Sequence, residues 1–92
     1  MPFVFADEAL ADLAGAVAFL ATQRPRAALR LIDRAFALAE QLAANALEGP
    51  EIEIEGEHVR SWPLPPYRVL YRREAARVVI LRVYHQKRRP LA

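Results

Sequence analysis

The residues with the most chemical potential lie in the C-terminal third, where arginines alternate with aromatic side chains. Arg60, Trp62, Arg68, Arg72, Arg82 and Tyr84 recur through strand-like segments, and Lys87, Arg88 and Arg89 follow. Guanidinium groups grip phosphate or carboxylate in a bidentate fork, and aromatic rings offer platforms for unstacked bases. The same residue types anchor protein interfaces, so an acidic protein surface suits this set as well as nucleic acid does. His85, between Tyr84 and the Lys87-Arg88 pair, adds a group that titrates near neutral pH. Cleaving an RNA backbone needs a base for the 2′-hydroxyl, a cation over the phosphate and an acid for the leaving oxygen. Arg68, Tyr84, His85, Lys87 and Arg88 could divide that work. The alternative is that His85 closes the end of a sheet by hydrogen bonding. His58 has no such company and reads as a surface residue. Three dispersed glycines, at 15, 49 and 56, make no phosphate-cradling loop, and no cofactor is implied. With no Cys and only two His, a metal site is not expected either.

These residues need a scaffold, and hydrophobic periodicity outlines one. Phe3 to Phe5 is β-prone. Asp7 and Glu8 then sit where a helix N-terminus favours negative charge, and Leu10, Leu13, Val17 and Leu20 form a helical stripe. Pro25 ends this helix and suits the first position of the next, from about Arg26 to Ala44. Ile32, Phe36, Ala39 and Ala43 mark one apolar stripe on the second helix, and Leu31, Ala35, Leu38 and Leu42 another. Together they exceed what one packing partner needs, so either part of this helix awaits an outside partner or alanine is simply tolerated at the surface. Beyond Gly49-Pro50, Glu51 to Glu55 alternates as an edge strand would, and Gly56-Glu57 supplies a turn. His58 to Leu64, Tyr67 to Arg73 and Arg77 to Tyr84 follow as strands, broken by Pro63, Pro65 and Pro66 and by Glu74 to Ala76.

The expected fold is α+β in the coarse order β-α-α-β-β-β, with a helical hairpin on one face of a small, mainly antiparallel sheet. The expected core is Leu13, Val17, Ile32, Phe36, Val79, Leu81 and Val83. Period-two sorting puts Tyr67, Val69 and Tyr71 toward the helices with Val79, Leu81 and Val83. It leaves Arg60, Trp62, Arg68, Arg72, Arg82 and Tyr84 on the open face.

Ninety-two residues fit a single domain over 1–92. No basic leader precedes an apolar run, and the charge-poor stretch Ala9 to Thr22 falls short of the roughly 18–20 residues a membrane span needs. No membrane partner and a cytoplasmic location are therefore expected. The formal charge of +2 conceals a division. Residues 1–57 carry ten acids against Arg24, Arg26, Arg30 and Arg34, a net of −6. Residues 58–92 carry nine bases against Glu74 alone, a net of +8. Such asymmetry either attracts an oppositely charged partner or only separates acids and bases over one surface.

Read in order, Ala9-x-x-Asp12-Leu13, Pro25-x-x-Ala28, Val59-Arg60, Tyr67-Arg68-Val69-Leu70-Tyr71 and the run from Val79 to Arg88 resemble the ParE/RelE superfamily of type II toxin–antitoxin toxins. The resemblance spans nearly the whole chain. It implies a toxin, associated with plasmid stabilisation and growth inhibition, that a cognate antitoxin neutralises in a toxin–antitoxin hetero-oligomer. ParE-like members act on DNA gyrase, and RelE-like members cut messenger RNA on the ribosome without metal. The RNA-cutting arginine of the family falls on Arg68, its basic C-terminal residues near Lys87 and Arg88, and the histidine of some members on His85, beside Tyr84. The lysine pair of several RNA-cutting members has no counterpart, and Glu51, Glu53, Glu55 and Glu57 occupy that region instead. The ending His85-x-x-Arg88-x-Pro90 is more similar to the ParE branch. Gyrase inhibition is thus the first expectation, a RelE-like endoribonuclease the second, and a non-enzymatic protein- or nucleic-acid-binding module the third.

Overall fold

A computed structural model describes residues 1–87; Arg88, Arg89 and Pro90 lie outside the described residues. The elements are β1 (Phe3–Phe5), α1 (Asp7–Ala21), α2 (Pro25–Ala43), β2 (Glu51–Ile54), β3 (Glu57–Leu64), β4 (Tyr67–Arg73) and β5 (Val78–His85). The five strands form one mixed sheet in the order β1-β5-β4-β3-β2, antiparallel except for the β1–β5 pair. This is the expected α+β arrangement, with the acid-rich β2 a full member of the sheet.

Local chemistry explains the boundaries. Asp7 and Glu8 occupy the first turn of α1, and Pro25 opens α2 where its missing N–H has no helical partner to lose. Just past α2, Asn45 takes the left-handed conformation at φ 61°, a common helix ending. Glu55 and Gly56, at φ 51° and 81°, make the tight two-residue connection between β2 and β3, one residue earlier than the sequence suggests. Pro63 stays within β3, and Pro65-Pro66 makes the turn.

The helices pack on one face of the sheet. Ala9 and Leu13 of α1 and Leu31, Ala35, Leu38, Ala39 and Leu42 of α2 meet Val69, Tyr71, Val78, Ile80 and Val83. Leu13 and Val83 are core residues as expected, and Val17 packs against the core. Ile32 is half-buried, and Phe36 is 40% exposed, its ring meeting Phe3 edge-on and Phe5 at a tilt. Val79 and Leu81 depart from the expectation for a geometric reason. The β4–β5 register slips between Leu70 and Tyr71, so that Leu70 pairs with Arg82 and Tyr71 with Ile80, leaving Leu81 as the extra residue. A bulge of this kind reverses the alternation beyond it. Val78 and Ile80 therefore face the helices before the bulge and Val83 after it, while Val79, paired with Val4 and Arg72, lies on the other face.

Candidate functional site

The open face is built from alternate residues of the three central antiparallel strands. On β3 these are Val59, Ser61 and Pro63; on β4, Arg68, Leu70 and Arg72; on β5, Val79, Arg82 and Tyr84. Arg68 sits at the centre of one end, with Pro63 on one side and Tyr84 on the other. Its Nε and Nη2 both donate to the Ser61 hydroxyl oxygen, at 3.0 and 2.8 Å. Ser61 is only 3% exposed, and its backbone N–H donates to the Pro50 carbonyl at 3.2 Å. Two donors converging on one fixed acceptor hold the guanidinium plane in place.

Arg68 differs from the other sheet arginines in its electrostatics. Arg60 lies 3.9 Å from Glu51, Arg72 3.7 Å from Glu74, and Arg73 3.4 Å from Glu48. Arg77 meets Glu74 and Arg82 meets Asp12. Among the described residues Arg68 alone in the sheet has no carboxylate within 4 Å.

Two expected members of this face, Arg60 and Trp62, lie elsewhere, and a third, Arg82, is in register with Leu70 on this face but turns to the sheet edge. Arg60 and Trp62 are in register with Tyr71 and Val69, hence on the helix side, where Trp62 packs against the core and Arg60 donates to the Gly49 carbonyl at 2.8 Å. Arg82 is engaged at the sheet edge. β1 pairs with β5 only as far as Ile80, so the Val83 N–H has no strand partner on that side; Asp12 of α1 accepts it at 3.0 Å. The same carboxylate takes a bidentate pair from Arg82, at 2.8 and 3.0 Å, and Glu8 lies 3.6 Å away. Donating to the Asp12 carboxylate raises the Arg82 pKa from its ordinary value, against an opposing effect of burial.

The register also sets Arg68 and His85 on opposite faces of the sheet. Arg68 and Tyr84 are cross-strand neighbours on the open face. His85 pairs with Tyr67 on the helix side, the rings meeting edge to face at 5.6 Å, and its Nδ1 accepts the Lys87 N–H at 3.2 Å. Tyr84, His85 and Lys87 all line a groove of about 830 Å³ against α1, with Asp12, Phe19 and Arg82; Arg68 is not part of that lining. His58 is exposed, 3.2 Å from Glu51. Sequence reasoning missed Ser61 and Asp12. A lone serine in an apolar strand was a faint signal, and the Asp12–Arg82 pair spans 70 positions that no local period connects.

The family model described as "ParE toxin of type II toxin-antitoxin system, parDE" matches residues 3–90. This chain belongs to the ParE toxin family. Among solved structures it is similar to a chain of the chromosomal ParDE toxin–antitoxin system from P. aeruginosa, with a TM-score of 0.75 and 24% identity over 92% of this chain and 95% of that one. It is also similar to a chain of the RelBE2 toxin–antitoxin complex from Mycobacterium tuberculosis, with a TM-score of 0.60 and 27% identity over 92% and 96%. No individually curated protein is similar enough in sequence to count as a relative. The ParE-family fold thus accounts for the helical hairpin and the mixed sheet. Among the described residues, no helix of this ParE-family toxin is long and apolar enough to cross a membrane.

Proposed function

We propose that this ParE-family toxin inhibits DNA gyrase in the cytoplasm and that a cognate antitoxin neutralises it. The observation that carries the reading is the register that sets Arg68 and His85 on opposite faces of the sheet. A cation over a scissile phosphate stabilises a transition state only when proton-transfer groups reach the same phosphate. Arg68 has Tyr84 beside it, but His85 points to the opposite face, where Tyr67 and the Lys87 backbone engage it. Such an arrangement favours binding over RNA cleavage, and the ParE family match points the same way. The antitoxin reading is supported by the apolar surface left on the helices: Phe19 and Leu29 are 63% and 65% exposed, alongside Leu10 and Phe36.

Purified protein added to a gyrase supercoiling reaction and, in parallel, to translating ribosomes tests the proposal. Loss of supercoiling with messages intact is the expected result. Metal-independent cleavage within translated codons, with normal supercoiling, would replace it with the endoribonuclease reading. For the antitoxin, the product of the adjacent gene should bind with submicromolar affinity.

A further inference from the structure

We propose that the open sheet face is the surface that grips the toxin's protein target, that it takes an apolar patch bearing a carboxylate, and that Ser61 is the positioning residue that holds Arg68 ready for it. The inference rests on the gyrase reading for the identity of the target.

Charge decides what this face can hold. Arg68 is flanked on this face by exposed Pro63 and half-buried Tyr84, while the other apolar residues of the face, Val59, Leu70 and Val79, are buried. Arg72, the other cation of this row, has Glu74 at 3.7 Å, and Glu57 lies at the end of the β3 row. A polynucleotide gains affinity by having many phosphates neutralised together, whereas among the described residues of this face Arg72 and Arg82 are already paired with carboxylates and only Arg68 is not. A protein interface instead concentrates its energy in a few anchors, often arginine, surrounded by apolar contacts that exclude water. Arg68 in its apolar setting fits the second description.

Ser61 makes the anchor effective. An arginine paired with a carboxylate in the free protein must surrender that partner to bind, which cancels much of the gain. The Ser61 hydroxyl is neutral. It accepts from Nε and Nη2 without compensating the charge and leaves the remaining guanidinium N–H groups for a partner. Burial and the Pro50 hydrogen bond fix Ser61 itself, so the rotamer entropy of Arg68 is already spent before binding.

The test compares wild type, Ser61→Ala, Arg68→Ala and the double variant in the full chain, by affinity for purified gyrase and by the ¹⁵N signal of the Arg68 Nε–Hε group. Arg68→Ala should weaken gyrase binding on the order of 100-fold, and Ser61→Ala about 10-fold through pre-organisation. The double variant should match Arg68→Ala within about twofold, because Ser61 acts only through Arg68. The Nε–Hε signal should be protected from exchange in wild type and averaged in Ser61→Ala, with melting temperatures of the variants within about 3 °C of wild type. Gyrase binding undiminished in Arg68→Ala would overturn the proposal and leave the gyrase reading standing. Multiplicative effects, or an Nε–Hε signal indifferent to Ser61, would overturn the positioning role. If wild type does not bind gyrase, the gyrase reading fails. In that case message cleavage that tracks Arg68 would make the occupant RNA, and binding to neither target would remove the face as a target surface.

Discussion

Replacing Asp12 with alanine removes the carboxylate that hydrogen-bonds α1 to the edge of β5. Three donors lose their acceptor: Arg82 Nε, Arg82 Nη2 and the Val83 N–H. Hydrogen bonds to a charged group contribute about 1.5–3 kcal/mol each when well sheltered, and an orphaned buried donor costs about 1–3 kcal/mol. The side chains here are partly sheltered, 18% exposed for Asp12 and 28% for Arg82, and Glu8 at 3.6 Å still meets the guanidinium. The net loss should therefore be about 2–3 kcal/mol, below the sum of the parts. For a domain of this size that lowers the melting temperature by about 10–20 °C. Far-UV circular dichroism with heat and urea would read it, and a cycle with Arg82→Ala should return a coupling of about 1–2 kcal/mol. Because the folded pKa of Arg82 is raised, its stabilisation is present in full below the ordinary guanidinium value and is lost only as pH rises through the elevated one. The destabilisation should accordingly be the same at neutral and mildly alkaline pH. A melting temperature for Asp12→Ala within about 2 °C of wild type would refute the assignment of Asp12 as a stabilising tie.

Three further outcomes are expected. Tyr71→Phe deletes the buried hydroxyl that accepts the Gly49 N–H at 2.7 Å, and should cost about 1–3 kcal/mol in urea unfolding with the fold retained. Gly49→Ala drives a methyl group into the Ser61 carbonyl, a backbone atom that cannot rotate away, and should give protein that fails to accumulate in soluble form. Leu29→Glu changes an exposed position and should leave stability within about 0.5 kcal/mol while weakening antitoxin binding about 10-fold or more by calorimetry.

The helices, the strands and their order were legible because each rests on a local signal: the stripe from Leu10 to Leu20, the proline at position 25, the alternation from Glu51. The composition of the open face was less so. Period-two sorting assigns faces within a strand but not between strands, so Arg60 and Trp62 were placed with Arg68 although the register Arg60–Tyr71 sets them opposite. The bulge at Leu81 inverted the assignment of Val79 for the same kind of reason, since an inserted residue leaves no trace in an unbroken run of strand formers. Arg68 itself could be singled out from the Tyr-Arg-Val-Leu-Tyr run. Its freedom from carboxylates could not, because that depends on where five other arginines find their acids in space.

The pairing of β1 with β5 has a consequence for biosynthesis. Phe3 finds Val78, Val4 finds Val79 and Phe5 finds Ile80, partners 75 positions apart in a chain of 92. While the polypeptide is being made, its first strand and both helices emerge with apolar faces that have nothing to rest against. The sheet is completed only when the last strand leaves the ribosome, and closing so long a loop is a late and slow event in folding. A nascent chain that stops short of β5 cannot carry the finished Arg68 face, because its neighbour Tyr84 lies in that strand. The apolar faces of the helices are therefore uncovered for the whole time it takes to make β2 to β5.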